Sequence, residues 1–457
     1  MPLRTRSASA CAGLLLLGAC TAPPPHVLMI SLDTVRADAL TESPAATELP
    51  ALARLRREGS TFTSAQAPIP FTLASHLTLL TGASPLVHRV KHRQRRLSER
   101  IPTLAERLRD AGYRTVGVYS SDLLGPQFGF ARGFDRWVVQ GGDAAAIRAR
   151  AESLLVDALA SERPVFLFAH FYDAHSDPHS ASNRLPYDAP SAYRRELPAI
   201  DPAAFCDPRD RCATDLLLAA NREGRALPEP TREWLRPLYL SGVRYLEAEV
   251  DLLLRAFVAR GVWDDALIIV TADHGEELGE HGMYLHAQLF EEVSRVPLLV
   301  RFPRGRQGRQ RVGEPVDLAD IVPTVLEVAG VDPEPADPWM SGRSLAPGRD
   351  GATPRLLLGQ ETLRYRRFTA RQGRYKLHFE HQGAILGLYD LEADPGERTD
   401  LSGRLGELAR SLEEQAEARI LAEHRLSKVF GGPEIGAGEP ALADEAVERL
   451  RALGYVH

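Results

Sequence analysis

The strongest constraint on this chain is a rhythm of short, unbroken apolar runs separated by amphipathic helical patterns. HVLMISLD (26–33), TVGVYS (115–120), VFLFAHF (165–171), ALIIVTAD (266–273) and VPLLVRF (296–302) are too short for buried helices. A strand buried on both faces reads as a continuous apolar run, whereas one with a wet face alternates. LPALARLRREG (49–59), IPTLAERLRDAG (101–112) and SGVRYLEAEVDLLLRAFVARG (241–261) lie between these runs with apolar residues at helical spacing. Strands covered on both faces by helices predict the α/β class with a parallel sheet. In open sheets of this kind, ligands bind beyond the carboxyl ends of the strands. Asp33 and Asp273 stand at two such ends, so one site is expected to hold both.

The rhythm changes twice. Residues 180–232 are rich in Pro, Asp and Arg with little periodicity, and read as a long insertion that covers the site as a lid. Beyond residue 350, LLLGQETLRY, RFTARQGRYKLHFE and ILGLYDLEADPGE read as hairpin-like strands, followed by the polar helix LGELARSLEEQAEARILAEHR. This predicts a catalytic domain over 26–349 and a smaller α+β subdomain over 350–425. A tail over 426–457 ends in the helical pattern ALADEAVERLRALGY. Asp251 and Glu249 sit on an amphipathic pattern and read as surface or interdomain groups.

Residues 1–19 carry Arg4 and Arg6, then an apolar stretch from Ala12 to Gly18, and Leu17-Gly18-Ala19 precedes Cys20. The stretch is far below the roughly 20 residues that cross a bilayer, so it reads as a processing signal. The cysteine after Leu-Gly-Ala resembles a bacterial lipoprotein cleavage box. That implies an exported chain, tethered to the cell envelope through lipidated Cys20 and the 20–25 linker. In an oxidising compartment, Cys206 and Cys212 in CDPRDRC predict a local disulfide. With 55 Lys+Arg against 61 Asp+Glu, the net charge of −6 excludes a global basic field for nucleic acid. The basic run HRVKHRQRR (88–96) reads as a solvated loop.

Three segments concentrate polar chemistry: Ser31-Leu32-Asp33-Thr34, Pro70 to Gly82, and Thr271 to Gly282. Two aspartates and His274 supply hard and borderline ligands for a divalent cation. Thr72 opens a helix-like run after Pro70. Its hydroxyl would stand at a helix N-terminus suited to an anionic substrate, where a bound cation could turn it into a nucleophile. A capping threonine is the simpler account of that segment by itself. Two acidic strand ends elsewhere tip the reading to a nucleophile or a metal-ligating hydroxyl.

Asp33, Thr72…Leu79-Leu80-Thr81-Gly82, and Asp273-His274-Gly275-Glu276…Glu280-His281-Gly282 occur in an order that resembles the sulfatase family of the alkaline phosphatase superfamily. Arg295-Val296-Pro297 and Leu388-Tyr389-Asp390-Leu391…Asp394-Pro395-Gly396-Glu397 extend the likeness over roughly residues 26–402. The resemblance implies an alkaline-phosphatase-like fold, a central mixed, mostly parallel sheet sandwiched by helices, with a small four-stranded C-terminal domain. It also implies a metal-dependent hydrolase of sulfate or phosphate esters, with a small-molecule or glycan ester as substrate. Sulfatases carry Cys-x-Pro-x-Arg, whose first residue becomes formylglycine; here those positions hold Thr72, Ala74 and His76. Threonine cannot give the aldehyde, which leans the chemistry towards phosphorus or a subgroup without formylglycine. The family's lysine- and histidine-bearing segment aligns with Gly117–Asp122, which has neither.

The expected site therefore has Asp33, Asp273 and His274 as metal ligands and Thr72, His76, His175 and His286 as catalytic groups. His175 and His286 would contact the leaving group or, with Asp173, bind a second ion. One or two ions of Ca²⁺, Mn²⁺ or Zn²⁺ fit this set. Two other readings are a membrane-associated transferase of phospho-substituents and an inactive surface-binding lipoprotein.

Overall fold

The computed structural model describes residues 23–41, 49–176, 185–187, 189–195, 197–198, 200–209, 211–306, 310–331, 337–347, 355–362 and 366–435. The signal over 1–19, Cys20, the start of the insertion (180–184) and the terminal helix over 441–455 lie outside the described residues.

The apolar runs form the centre of a nine-stranded sheet. β1 (His26–Leu32), β2 (Ser60–Gln66), β3 (Arg114–Tyr119), β4 (Arg136–Val139), β5 (Val165–Phe171) and β6 (Ala266–Ala272) run parallel wherever they pair with one another. The strand Arg295–Arg301 lies between β2 and β6 and is antiparallel to both, which makes the sheet mixed. All seven residues of β5 and of β6 are buried, which explains their unbroken apolar sequence. In β1, only His26 at the start is not fully buried.

Several helices differ from the sequence expectation. The pattern at 241–261 is the end of a longer helix, Glu229–Ala259, that begins inside the 180–232 segment and continues through Pro237. The same segment holds a second helix, Thr214–Glu223, which buries Leu216, Leu217, Ala219 and Ala220. Cys206 and Cys212 form the expected disulfide. Asp251 is not a surface group. Its Oδ1 accepts the Ala51 and Leu52 amides at 2.7 and 3.0 Å, capping a helix, Pro50–Glu58, whose own N-cap Leu49 has no side-chain acceptor.

The C-terminal unit is a four-stranded antiparallel meander: Leu357–Gln360, Arg367–Gln372, Tyr375–Glu380 and Ile385–Asp390. Helix Gly406–Phe430 closes it and runs five residues beyond the expected boundary at 425. Ala409, Leu412, Ala416 and Ile420 form a single buried stripe on this helix against Leu377, Phe379 and Leu388 of the sheet.

A buried ionic cluster joins the two units. Lys376 Nζ donates to Glu291 Oε1 (3.0 Å), Ser294 Oγ (2.9 Å) and Glu397 (3.3 Å). Burial pushes the Glu291 carboxyl up, but the Lys376 and Arg371 cations outweigh it and hold it well below the usual carboxylate range. A depressed carboxyl contributes stability above its unfolded pKa, lost as pH falls towards the folded one. Lys376→Met leaves two buried carboxylates short of a cation and is expected to cost about 3 kcal/mol at pH 7. The cost should shrink towards pH 4, as the Glu291 carboxylate, relieved of the Lys376 cation, takes up a proton. Urea unfolding at both pH values checks this; an equal midpoint shift at both would contradict the electrostatic origin.

Candidate active site

Strand register assembles the site. Leu32 is level with Phe171 and with Ala272, so Asp33, Tyr172 and Asp273 leave the sheet side by side. Asp273 Oδ1 accepts the amides of Thr34 (3.2 Å) and His274 (2.9 Å). Thr34 sits at φ 57° to make that bond, a left-handed conformation that costs a non-glycine residue roughly 1–2 kcal/mol. The backbone beside Asp33 is thus strained towards Asp273. Gly275 is needed for a different reason: a Cβ there would lie 2.1 Å from the Glu292 carbonyl oxygen, where the loop docks through Gly275 N–H to Val293 O at 2.7 Å.

Thr72 is the first residue of helix Thr72–Thr81, whose N-cap is Phe71 and which has no side-chain cap. The capping account of Thr72 therefore gives way, because its Oγ1 donates to Asp33 Oδ2 at 3.4 Å. His170 Nε2 donates to the same oxygen at 3.1 Å, with Ser120 Oγ 3.4 Å from its Nδ1. Ser75, one turn along, donates to the Asp273 carbonyl at 2.7 Å. Both flanking strand ends are thereby tied to the helix.

Asp33 Oδ1, Asp273 Oδ2 and His274 Nε2 are among the buried polar atoms that have no hydrogen-bond partner. Ligand atoms of these three side chains lie within 4.8 Å of one another, the one such group among the described residues. The His274 Nδ1 hydrogen is directed to the Gly275 carbonyl at 3.1 Å, which leaves the lone pair on Nε2. Burial pushes the Asp33 carboxyl up to about 7, against the pull of His274. Buried acceptors without donors are costly, and two carboxylates with an imidazole form a divalent-cation donor set. The residues fit the ion.

His175 and His286 reach the same place. The His286 ring lies 4.5 Å from that of His274 and 5.2 Å from that of His175. His175 stacks on Tyr172 at 4.5 Å. His286 Nδ1 is 2.7 Å from Glu276 Oε2, and Tyr187 Oη donates to Glu276 Oε1 at 2.7 Å. Burial holds His286 down at about 4, opposed by Asp273.

Two expected site residues make contacts other than those expected of them. Asp173 turns away from the cluster: its Oδ1 accepts the Ala144 amide at 3.1 Å, at the start of helix Ala144–Leu159. Any second-ion set lacks that carboxylate. His76 stands beneath Thr72, with Nδ1 on the Thr72 carbonyl and Nε2 on Ser31 Oγ, both at 2.8 Å. Burial holds it at about 3, against Asp273. Its Nδ1 also lies 3.6 Å from Asp273 Oδ2, so this buried neutral ring braces both Thr72 and one of the site carboxylates. The sequence reading noted His170 beside Asp173 and His175 without a separate role, and gave none to Ser31, Ser75, Ser120, Tyr187 or Glu276. Of these, all but Tyr187 lay within segments it singled out.

A family profile described as Sulfatase matches residues 25–331. The chain belongs to the sulfatase family. A second profile, N-sulphoglucosamine sulphohydrolase, C-terminal, matches residues 279–421 and takes in the meander and most of the closing helix. Among relatives of this sulfatase-family chain, the choline-sulfatase of Rhizobium meliloti (strain 1021) is 26% identical over 431 residues, 84% of this chain and 83% of that one. The phosphonate monoester hydrolase of Agrobacterium radiobacter superposes with a TM-score of 0.66 at 21% identity, over 88% of this chain and 96% of that one. A protein solved with its substrate D-glucosamine-2-N,6-O-disulfate gives 0.65 at 18% identity, over 88% and 98%. The structural likenesses establish the shared fold. Family membership makes the chain an enzyme, an ester hydrolase of the sulfatase class.

Proposed function

We propose that the chain is a metal-dependent hydrolase of organic sulfate or phosphate esters, with Thr72 as nucleophile. The observation that carries this reading is the convergence of three unsatisfied ligand atoms, on Asp33, Asp273 and His274, beside a hydroxyl bonded to Asp33 instead of capping its own helix. The cation, when bound, supplies charge to the ester's oxygens and acidity to the hydroxyl. As Thr72 Oγ bonds to sulfur or phosphorus, its proton passes to Asp33 Oδ2 and the bond to the organic oxygen breaks. That oxygen leaves on the side of His175 and His286, which hydrogen-bond it while it takes its proton from water. Water then attacks the threonyl ester, releasing inorganic sulfate or phosphate and restoring Thr72. A threonyl ester has no aldehyde to collapse to, which favours phosphorus. The likeness to a phosphonate monoester hydrolase supports this, while the choline-sulfatase relative supports a small organic sulfate. With Asp173 directed elsewhere, one ion with two leaving-group histidines is the better account.

The test is the purified chain, supplied in turn with Ca²⁺, Mn²⁺ and Zn²⁺. It is assayed on an aryl sulfate, a phosphate monoester, a phosphodiester and a phosphonate ester. Turnover of at least one, best at phosphorus, is expected; inactivity on all four with all three ions overturns the reading.

The same proposal includes export and anchoring through acylated Cys20. In a bacterial host, the full chain is expected to incorporate labelled palmitate and sediment with membranes, while Cys20→Ser does neither. An unlabelled wild-type chain would overturn the anchor.

A further inference from the structure

We propose that Glu276 is a positioning residue for His286, and that Tyr187, from the long insertion, locks it in place. The local fold builds the pair. Glu277–Leu278 and Tyr284–Leu285 form a two-stranded hairpin in which Glu277 is level with Leu285. Glu276 and His286 are therefore the next facing positions across that hairpin, with side chains on one face. The Glu276 backbone is held from two sides: its N–H donates to Glu292 O at 3.1 Å, and its carbonyl accepts Arg36 Nη1 at 3.1 Å. Its side chain is fully buried, and each carboxylate oxygen has its own partner.

The partners face opposite parts of the molecule. His286 lies among the site histidines. Tyr187 packs edge-on against Tyr239 at 5.5 Å, and the Tyr239 hydroxyl donates to the Thr34 carbonyl at 2.9 Å and accepts the Arg36 amide at 2.8 Å. The insertion is thus tied to the loop after β6 through the Glu276 carboxylate and to the loop after β1 through the Tyr187–Tyr239 contact. A histidine ring turned by half a rotation about its last side-chain bond fills the same space but swaps Nδ1 for a carbon. The bond to Glu276 is what distinguishes the two orientations. Only one of them presents Nε2 to the departing oxygen of the ester.

This rests on the leaving-group role given to His286, so the test uses two readouts. The first compares a 4-nitrophenyl ester, whose leaving oxygen needs little help, with an alkyl ester of the same acid. Glu276→Ala is expected to lower kcat/KM about 100-fold on the alkyl ester, the size of a lost acid–base contribution. On the aryl ester the loss should be only a few-fold. Tyr187→Phe should act in the same direction with a smaller gap, and Glu276→Gln, which keeps a hydrogen-bonding partner for Nδ1, should restore most of the difference. Equal losses on both esters in the Ala and Phe variants would overturn the proposal.

The second readout needs no turnover. In imidazole ¹⁵N spectra, with His286 assigned by its loss in His286→Asn, the Nδ1 resonance should be hydrogen-bonded in wild type and Glu276→Gln and revert in Glu276→Ala. An unchanged resonance in Glu276→Ala overturns the proposal. The expected change in a protein that hydrolyses neither ester upholds the positioning while the hydrolase reading falls.

Discussion

Replacing Thr72 by alanine will lower kcat/KM on the best of the test esters by about 10⁴-fold, the order expected when a nucleophile is deleted from a site that otherwise stays assembled. The fold should barely register the change. Thr72 Oγ1 makes one long bond, 3.4 Å to Asp33 Oδ2, worth about 1 kcal/mol at most. The helix start is held instead by Ser75 on the Asp273 carbonyl and His76 on Ser31, and neither bond involves the threonine hydroxyl. Thr72→Ser keeps the attacking oxygen and loses only the methyl group that fixes its rotamer, so it should recover to within about tenfold of wild type. Steady-state kinetics on all three proteins, with metal content measured alongside, decides the matter. A Thr72→Ala protein that keeps a tenth of the activity would show that another group attacks. A Ser variant as poor as the Ala variant would show that the hydroxyl is not what was lost.

The parts of the site legible in the sequence are those fixed by backbone periodicity. Asp33 and Asp273 could be brought together because β1 and β6 read as strands buried on both faces, and such strands end at a ligand-binding edge. Thr72 could be placed because Pro70 and the following apolar run set a helix start. What escaped was side-chain direction. His76 occupies the family's arginine position by the motif spacing, yet its ring is buried one helical turn below Thr72, engaged by Ser31 and the Thr72 carbonyl and 3.6 Å from Asp273. Asp173 and His175 are two residues apart on one turn, and the turn sends one towards Ala144 and the other towards His286. Tyr187 had no signal at all, since an aperiodic segment gives no hint of which residue will be buried. Helix Thr214–Glu223 did carry a helical spacing of Leu and Ala, hidden by the Pro and Arg around it. The reversed direction of Arg295–Arg301 depends on connections that an apolar run does not encode.

Asp273→Asn separates the metal from the scaffold that presents it, and its effects on stability should have opposite signs with and without the ion. An asparagine Oδ1 can still accept the Thr34 and His274 amides, so the strained turn after β1 is kept. Its Nδ2 falls where Oδ2 was, and an amide nitrogen cannot ligate a cation. Activity is therefore expected to fall about 10⁴-fold, with no retained metal by elemental analysis. In the ion-free protein, Asp33 and Asp273 are buried together, and burial already pushes the Asp33 carboxyl up to about 7. Neutralising one of the two relieves that crowding, so the ion-free variant should melt a few degrees above the ion-free wild type. Metal reverses the order. An ion at a hundredfold excess over its Kd stabilises the wild type by about 2.7 kcal/mol, whereas the variant gains nothing. Thermal melts of both proteins with chelator and with each of the three ions would display the crossing. An Asn variant that gains as much from the ion as wild type does would mean that the cation sits elsewhere, and the unsatisfied atoms of Asp33, Asp273 and His274 would need another explanation.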